Sequence, residues 1–204
     1  MDSNNLFDKF PFLETAHLVL RELRLTDAEA IYQIFSDEEV MKYYGTPVIT
    51  SMQHAHQVIL ANKGRFKIKE GICWGITRKG EDVIIGICSY VSIEKRPLGG
   101  ILWGEISYIL AKNYWQQGVM TEVLHSIIPF GFEQMGLNRI EAEVVTDNIA
   151  SIQLLHRLGF HEEGTLRERG FWNGIYHDLK MFSLLRREFK GKKAQQQKQF
   201  VKPC

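Results

Sequence analysis

Apolar and polar residues alternate from His17 to Leu23 (His-Leu-Val-Leu-Arg-Glu-Leu), a period of two that predicts a half-buried strand. Thr26-Asp-Ala-Glu29 has capping-box spacing and predicts a helix through Phe35. Ser36-Asp-Glu-Glu39 repeats that spacing before a shorter helix to about Tyr43. Ser51 caps the next helix, whose Ala55, Val58, Ile59 and Asn62 share one face. Cys73–Thr77 and Val83–Val91 read as the strands of a hairpin across residues 78–82. Residues 95–100 (Lys-Arg-Pro-Leu-Gly-Gly) read as a loop, and Ile101–Leu110 as a strand. A long helix follows over Val119–Met135, ended by Gly136. Arg139–Val145 is a strand, and Ile149–Leu158 a helix stopped by Gly159. Strands at about Glu162–Phe171 and Ile175–Leu185 flank Asn173-Gly174, a hairpin-turn pair. No repeat or linker interrupts residues 10–189, so the pattern predicts one mixed α/β domain.

Composition narrows the class. A chain of 204 residues, 45% hydrophobic and 24% charged, buries a core without disulfides or metal. Its net charge of +1 argues against a dedicated nucleic-acid binder. Residues 188–204 read as a basic, disordered tail: five lysines from Lys190 onward, no acid after Glu188, and a glutamine run. The tail is a solubilising end or a weak polyanion contact, and residues 1–189 carry 20 basic and 24 acidic side chains, a net −4. No apolar run approaches the ~18 residues of a membrane span. Met1–Asn5 lacks the basic and apolar regions of a signal peptide. Cys73, Cys88 and Cys204 form no Cys-x-x-Cys pair, which fits a reducing cytoplasm better than a disulfide framework or zinc site. The seven histidines show no ligand spacing, so no metal is expected.

Two segments carry candidate chemistry. From Glu105 to Glu122 a strand runs through a short loop into a helix that starts near Gly118, leaving free backbone N–H groups at the positive end of a helix dipole. Such a junction suits a phosphate or pyrophosphate. It has neither the Gly-Lys-Ser/Thr of a Walker loop nor the three glycines of a dinucleotide fingerprint. From Asp147 to Phe160, Asn148 opens a helix, and Ser151 and Leu155 follow on the same face. By themselves Asn148 reads as an N-cap and Ser151 as a first-turn polar residue.

Together these segments resemble the GNAT superfamily of acetyl-CoA-dependent N-acyltransferases, in particular its RimJ/RimL branch. The resemblance rests on Leu20-Arg21, Thr26-Asp27-Ala28, Trp74-Gly-Ile76, Ile85-Gly86, Glu105-Ile-Ser-Tyr108, Trp115-Gln-Gln-Gly118-Val-Met-Thr-Glu122, Asn148-x-x-Ser151 and Leu158-Gly159-Phe160. It implies an N-acetyltransferase domain over residues 14–187, after an N-terminal segment 1–13. The implied fold is a mixed, mostly antiparallel central sheet, splayed in the middle, with helices on both faces. It further implies that the amides of Gln116, Gln117, Gly118, Val119, Met120 and Thr121 hold the coenzyme pyrophosphate. Backbone groups at Ile109 and Leu110 would meet the pantetheine arm or the oxyanion, and Asn148 would bond the same arm. The family usually has Gly or Ala where Met120 stands; a larger side chain fits if it turns into the core.

In this family a base must deprotonate the amine. Glu105 is the candidate, acting through water, with a salt-bridged sheet carboxylate as the alternative. Many members place a tyrosine acid where this chain has Leu155; in the RimJ/RimL branch Ser151 is the implied proton donor to the leaving thiolate. The acidic residue that some members carry is replaced here by Gly170, with Glu168 nearby. Tyr43, Tyr44, Trp103, Trp115 and Trp172 are candidate walls of an acceptor cleft, or packing residues. The implied activity is direct acetyl transfer from acetyl-CoA to a primary amine, foremost the N-terminal α-amine of a ribosomal or other protein. The alternatives are a small amine, such as a polyamine or an aminoglycoside-like toxin, or a non-catalytic acyl-CoA-binding module. The branch also implies a possible homodimer, with no membrane or specific nucleic-acid partner.

Overall fold

The computed structural model describes residues 6–95 and 101–189. Of the loop expected at 95–100 only Lys95 is described, and the tail beyond Phe189 lies outside the described residues. The chain runs β1 (Leu13–Glu14), β2 (Leu18–Glu22), α1 (Ala28–Phe35), α2 (Glu38–Met41), α3 (Met52–Lys67), β3 (Ile72–Arg78), β4 (Gly86–Lys95), β5 (Ile101–Leu110), α4 (Val119–Glu133), β6 (Arg139–Val145), α5 (Ile149–Leu158), β7 (His161–Trp172) and β8 (Ile175–Leu185). The strands form one sheet in the order β1-β2-β3-β4-β5-β6-β8-β7. Every neighbouring pair is antiparallel except β5–β6.

Side-chain alternation divides the core between the two faces of the sheet. Leu18, Leu20, Trp74 and Ile76 pack with the apolar residues of α4 and α5, while Leu23, Cys73, Ile87 and Ile109 pack with α1 and α3. α4 lies close on the sheet because Gly131 lacks a side chain: a Cβ there would stand 2.1 Å from the hydroxyl of buried Tyr90. That hydroxyl donates to Ile127 O at 3.0 Å.

Three expected boundaries shift for physical reasons. Neither capping box forms as predicted. A 3-10 turn at Leu25–Asp27 precedes α1, and Asp27 rather than Thr26 is the N-cap residue. The Asp27 carboxylate instead accepts from Arg24 N at 2.6 Å and from both terminal nitrogens of Arg21 at 2.8 Å. α2 is capped by Asp37, whose Oδ1 accepts from Glu39 N and Val40 N, while Ser36 closes α1. Ser51 caps α3 as expected, its Oγ accepting from His54 N at 3.3 Å. Finally, Val83–Ile85 lie outside β4: Ile85 N donates to Ile76 O while Ile85 O accepts from Ala111 N, opposite directions that a regular strand residue does not combine. Among the described residues no helix is long and apolar enough to cross a membrane.

Candidate active site

β5 and β6 pair over only three residues, Trp103↔Arg139, Gly104↔Ile140 and Glu105↔Glu141. Opposite this point β4 has a register shift between Tyr90 and Ser92, and such bulges bend and twist a strand. Beyond Glu105 the two strands part, so the outer half of β5 has β4 on one side and an open V on the other. Alternation decides which backbone groups face the V. Ala111 N donates to Ile85 O at 2.8 Å, so the groups of Ile109, paired with Ile87, also face β4. Those of Tyr108 and Leu110 face the V. Leu110 O accepts from Trp115 Nε1 at 2.7 Å, which leaves Leu110 N–H and both groups of Tyr108 toward the V. Of the two expected residues, both border the first cavity described below, and the backbone N–H of Leu110 reaches the open edge while the backbone groups of Ile109 face β4.

The loop after β5 curls into an anion cradle. Gln116 and Gly118 have positive φ, 58° and 77°, which turns successive amides inward. Gly118 is the N-cap of α4 and offers no side-chain acceptor, so the amides of Val119, Met120 and Thr121 lack the cap that α2, α3 and α5 possess. A Cβ at Gly118 would meet nothing within 4 Å, so the space above the amides is open. Met120 is buried in the core, and its side chain does not fill that space. The Gln117 side chain accepts from Arg78 and donates to Asn113 O at 2.7 Å, and Gln117 borders neither cavity described next.

Two cavities meet at the V. One, of about 740 Å³, runs from the loop along Leu110 and α5, with Lys42 and Arg157 on its wall. The other, of about 620 Å³, lies between α3, the loop after α2 and the parting strands, bordered by Glu105, Ser107, Glu143, Arg65 and Trp172. Tyr43, Tyr44, Tyr108, Asn148 and Ser151 border both. Asn148 is also a genuine N-cap, its Oδ1 accepting from Ser151 N at 3.2 Å. Leu155, expected on the same face, is instead fully buried in the core and borders neither cavity. Of the aromatic candidates, Tyr43, Tyr44 and Trp172 border the second cavity and Trp115 the first, whereas Trp103 donates to Glu94.

Electrostatics single out Glu105. It has no ion pair or hydrogen bond among the described residues, while its neighbours Glu141 and Glu143 meet Arg139 and Arg169. Burial raises its pKa above the ordinary carboxylate value, Glu143 and Glu141 push the same way, and Arg169 opposes them. The Tyr108 hydroxyl is buried beside the Ser151 hydroxyl. Burial pushes its pKa up to about 12, with the neighbouring Ser151 hydroxyl offsetting part of the rise. Gly170 is explained by packing: a Cβ there would stand 2.2 Å from the Trp172 ring, which occupies the space a side chain would need. Glu168 is exposed and borders neither cavity. The sequence singled out neither the Tyr108 hydroxyl nor Arg65, Glu143 or Arg157 as site groups. Only Glu143 had a local signal, its place two residues after Glu141 on the same strand face. Among the described residues no group of three or more His, Cys, Asp or Glu could hold a metal ion.

With this geometry in hand, comparison with known proteins is informative. A family model described as an acetyltransferase (GNAT) domain matches residues 17–161. The chain is 36% identical over 177 residues to the uncharacterized N-acetyltransferase YoaA of Bacillus subtilis, covering 87% of this chain and 98% of that protein. It is 32% identical over 103 residues to the ribosomal-protein-serine acetyltransferase of Escherichia coli, covering 50% of this chain and 55% of that one. The solved structure of RimL, a ribosomal-protein α-N-acetyltransferase in complex with coenzyme A, superposes with a TM-score of 0.76 at 20% identity, over 86% of this chain and 98% of that one, a likeness of fold.

Proposed function

Because the chain belongs to the GNAT acetyltransferase family, and is therefore an N-acetyltransferase that uses acetyl-CoA, we propose that its acceptor is the N-terminal α-amine of a protein, ribosomal proteins foremost, and that it works in the cytoplasm. The observation that carries the reading is the second cavity, where unpaired Glu105 stands beside Glu143 at the V while Arg65 borders the same space. A polyamine suits a cavity lined by acids alone. An α-amine, with an ordinary pKa of about 7.7–8.0, is closer to neutral than a lysine-like amine and needs only a modest base. The part-length similarity to the Escherichia coli ribosomal-protein-serine acetyltransferase supports the same choice.

The residues present fit acetyl-CoA, which supplies an activated acetyl thioester. The uncapped amides of Val119–Thr121 hold the pyrophosphate. Tyr108 and Leu110 present strand-edge groups to the amides of the pantetheine arm, and Asn148 adds a side-chain amide. Leu110 N–H faces the place where negative charge develops on the thioester oxygen. Glu105 takes the proton from the acceptor ammonium through water, and Ser151 assists the departing sulfur. Transfer is direct: Cys73 and Cys88 are buried and border neither cavity.

An acetyl-CoA-dependent screen across N-terminal peptides, polyamines and aminoglycosides tests the acceptor. The expected result is acetylation of peptides at the α-amine, located by mass spectrometry. A higher kcat/KM for a polyamine or an aminoglycoside would overturn the reading, and coenzyme binding with no turnover on any amine would favour a binding module.

A further inference from the structure

We propose that Arg65 selects the acceptor: its guanidinium pairs with a carboxylate on the first or second residue of the peptide whose α-ammonium lies at Glu105. The inference rests on the reading above that a peptide α-amine enters the second cavity. Among the described residues, the charged ones that border this cavity are Arg65, Glu105 and Glu143. Glu143 already meets Arg169 at 3.4 Å. One carboxylate and one guanidinium are left without partners among the described residues. The ligand that balances them carries one cation and one anion.

The three charges lie across one face of the sheet. Glu105, Ser107 and Ile109 share a face by alternation, and Ile109 packs in the core under α1 and α3. On β6, Ala142 and Val144 pack with α4 and α5, so Glu143 faces the α3 side. Arg65 comes from α3 itself and stands beside Gly71: a Cβ on that glycine would lie 3.7 Å from Arg65 Cβ and 2.7 Å from Tyr90 O on β4. With strands about 4.8 Å apart, the stem of Arg65 is about 5–10 Å from Glu105 on β5. Successive Cα atoms of an acceptor are about 3.8 Å apart, so a carboxylate on its first or second residue spans that gap.

Position on the helix alone does not account for Arg65. It stands in the last turn of α3, where the helix dipole favours a cation, but that does not direct it to the cavity. Lys63, two residues earlier, pairs with Glu22 at 2.7 Å and borders neither cavity. Arg65 is exposed, its side chain has no ion pair or hydrogen bond among the described residues, and it borders the second cavity. Its charge also reaches inward. Burial raises the pKa of the Tyr44 hydroxyl and of the Cys73 thiol, and Arg65 draws both back down. Tyr44 borders the same cavity. A guanidinium left open in this way offers a carboxylate two parallel N–H donors. A polyamine would set a second cation against it, and a neutral side chain would leave it unpaired.

Steady-state kinetics on matched peptides tests this. Peptides beginning Asp-Ala and Ala-Asp are compared with their Asn-Ala and Ala-Asn counterparts on one common sequence, with acetylation of the α-amine followed by mass spectrometry. For the wild-type protein, kcat/KM should favour Asp over Asn by about fivefold or more at one of the two positions, carried by KM and shrinking as salt rises. The position that shows the effect locates the carboxylate. In Arg65→Gln the Asp-to-Asn ratio should fall to about one, and in Arg65→Glu an Arg counterpart should overtake the Asp peptide. Acetyl-CoA affinity by calorimetry, unchanged in both variants, reports that they are folded. A wild-type ratio of about one at both positions, or a ratio that persists in Arg65→Gln, overturns the role of Arg65 while leaving the peptide reading intact. Acetylation of no peptide, with turnover on a polyamine or an aminoglycoside or with coenzyme binding alone, overturns both.

Discussion

Two clusters of polar groups, one around Arg21 and one on the outer half of β5, are built on opposite plans. In the first, Arg21 reaches Asp27 through two nitrogens and Asp82 through a third, with Arg24 also on Asp82. In the second, the Glu105 carboxylate has no partner among the described residues, and the buried Tyr108 hydroxyl has the Ser151 hydroxyl beside it. Both clusters occupy the same sheet. The first is closed within the protein and tethers the entry to α1 against the turn before β4. The second faces the two cavities that meet at the V. A satisfied buried charge reads as architecture, and an unsatisfied one at a cavity reads as chemistry.

The contrast breaks most visibly at Glu105. Glu105→Gln should lower turnover by about 10²–10⁴-fold and remove the low-pH limb of the rate profile, with acetyl-CoA affinity by calorimetry unchanged. Stability should move the other way. The folded-state pKa of Glu105 is raised, so the stability it contributes is present below the unfolded-state value and is lost as pH rises through the folded one. Removing the charge should therefore leave the melting temperature at pH 7 equal or higher.

Asp27→Ala should do the reverse. Burial alone would raise the Asp27 pKa, but the Arg21 and Arg24 hydrogen bonds hold it below the ordinary carboxylate value. Its stabilisation is present above the unfolded-state pKa and is lost as pH falls through the lower folded one. The substitution leaves Arg21 buried with only the exposed Asp82 as a carboxylate partner and should cost about 3–5 kcal/mol in denaturant unfolding. Turnover per folded molecule should be retained.

The same opposition recurs at helix starts. Gly118→Val should weaken acetyl-CoA binding by about tenfold or more, or ~1.4 kcal/mol, by covering the open amides of α4. Part of the loss comes from the positive φ that valine resists. Ser51→Ala removes a cap that the protein itself uses. It should cost about 1 kcal/mol of stability, with coenzyme affinity by calorimetry unchanged.

These paired cases also explain what could be read from the residues alone. Local order was legible: the strand at Ile101–Leu110, the cap at Ser51, the helix opened by Asn148 and the junction at Gly118 depend on neighbours in sequence. Groups committed to distant partners were not. Thr26-Asp-Ala-Glu29 reads as a capping box because nothing in it reveals that Arg21 and Arg24 take the Asp27 carboxylate. Alternation placed Tyr108 on the face opposite Glu105, but it cannot tell whether a hydroxyl finds a partner there. Leu155 sits one turn from Ser151, yet it packs into the core and borders neither cavity.

The seam of three residue pairs between β5 and β6 has a consequence for how the molecule breathes. It joins two antiparallel blocks, β1–β5 and β6–β8, by the shortest ladder between the long strands of the sheet. Short ladders open at lower free energy than long ones, so amide protons along this seam exchange with solvent ahead of those inside either block. On the placement proposed above, a coenzyme in the V would touch both blocks and act as a removable clasp between them.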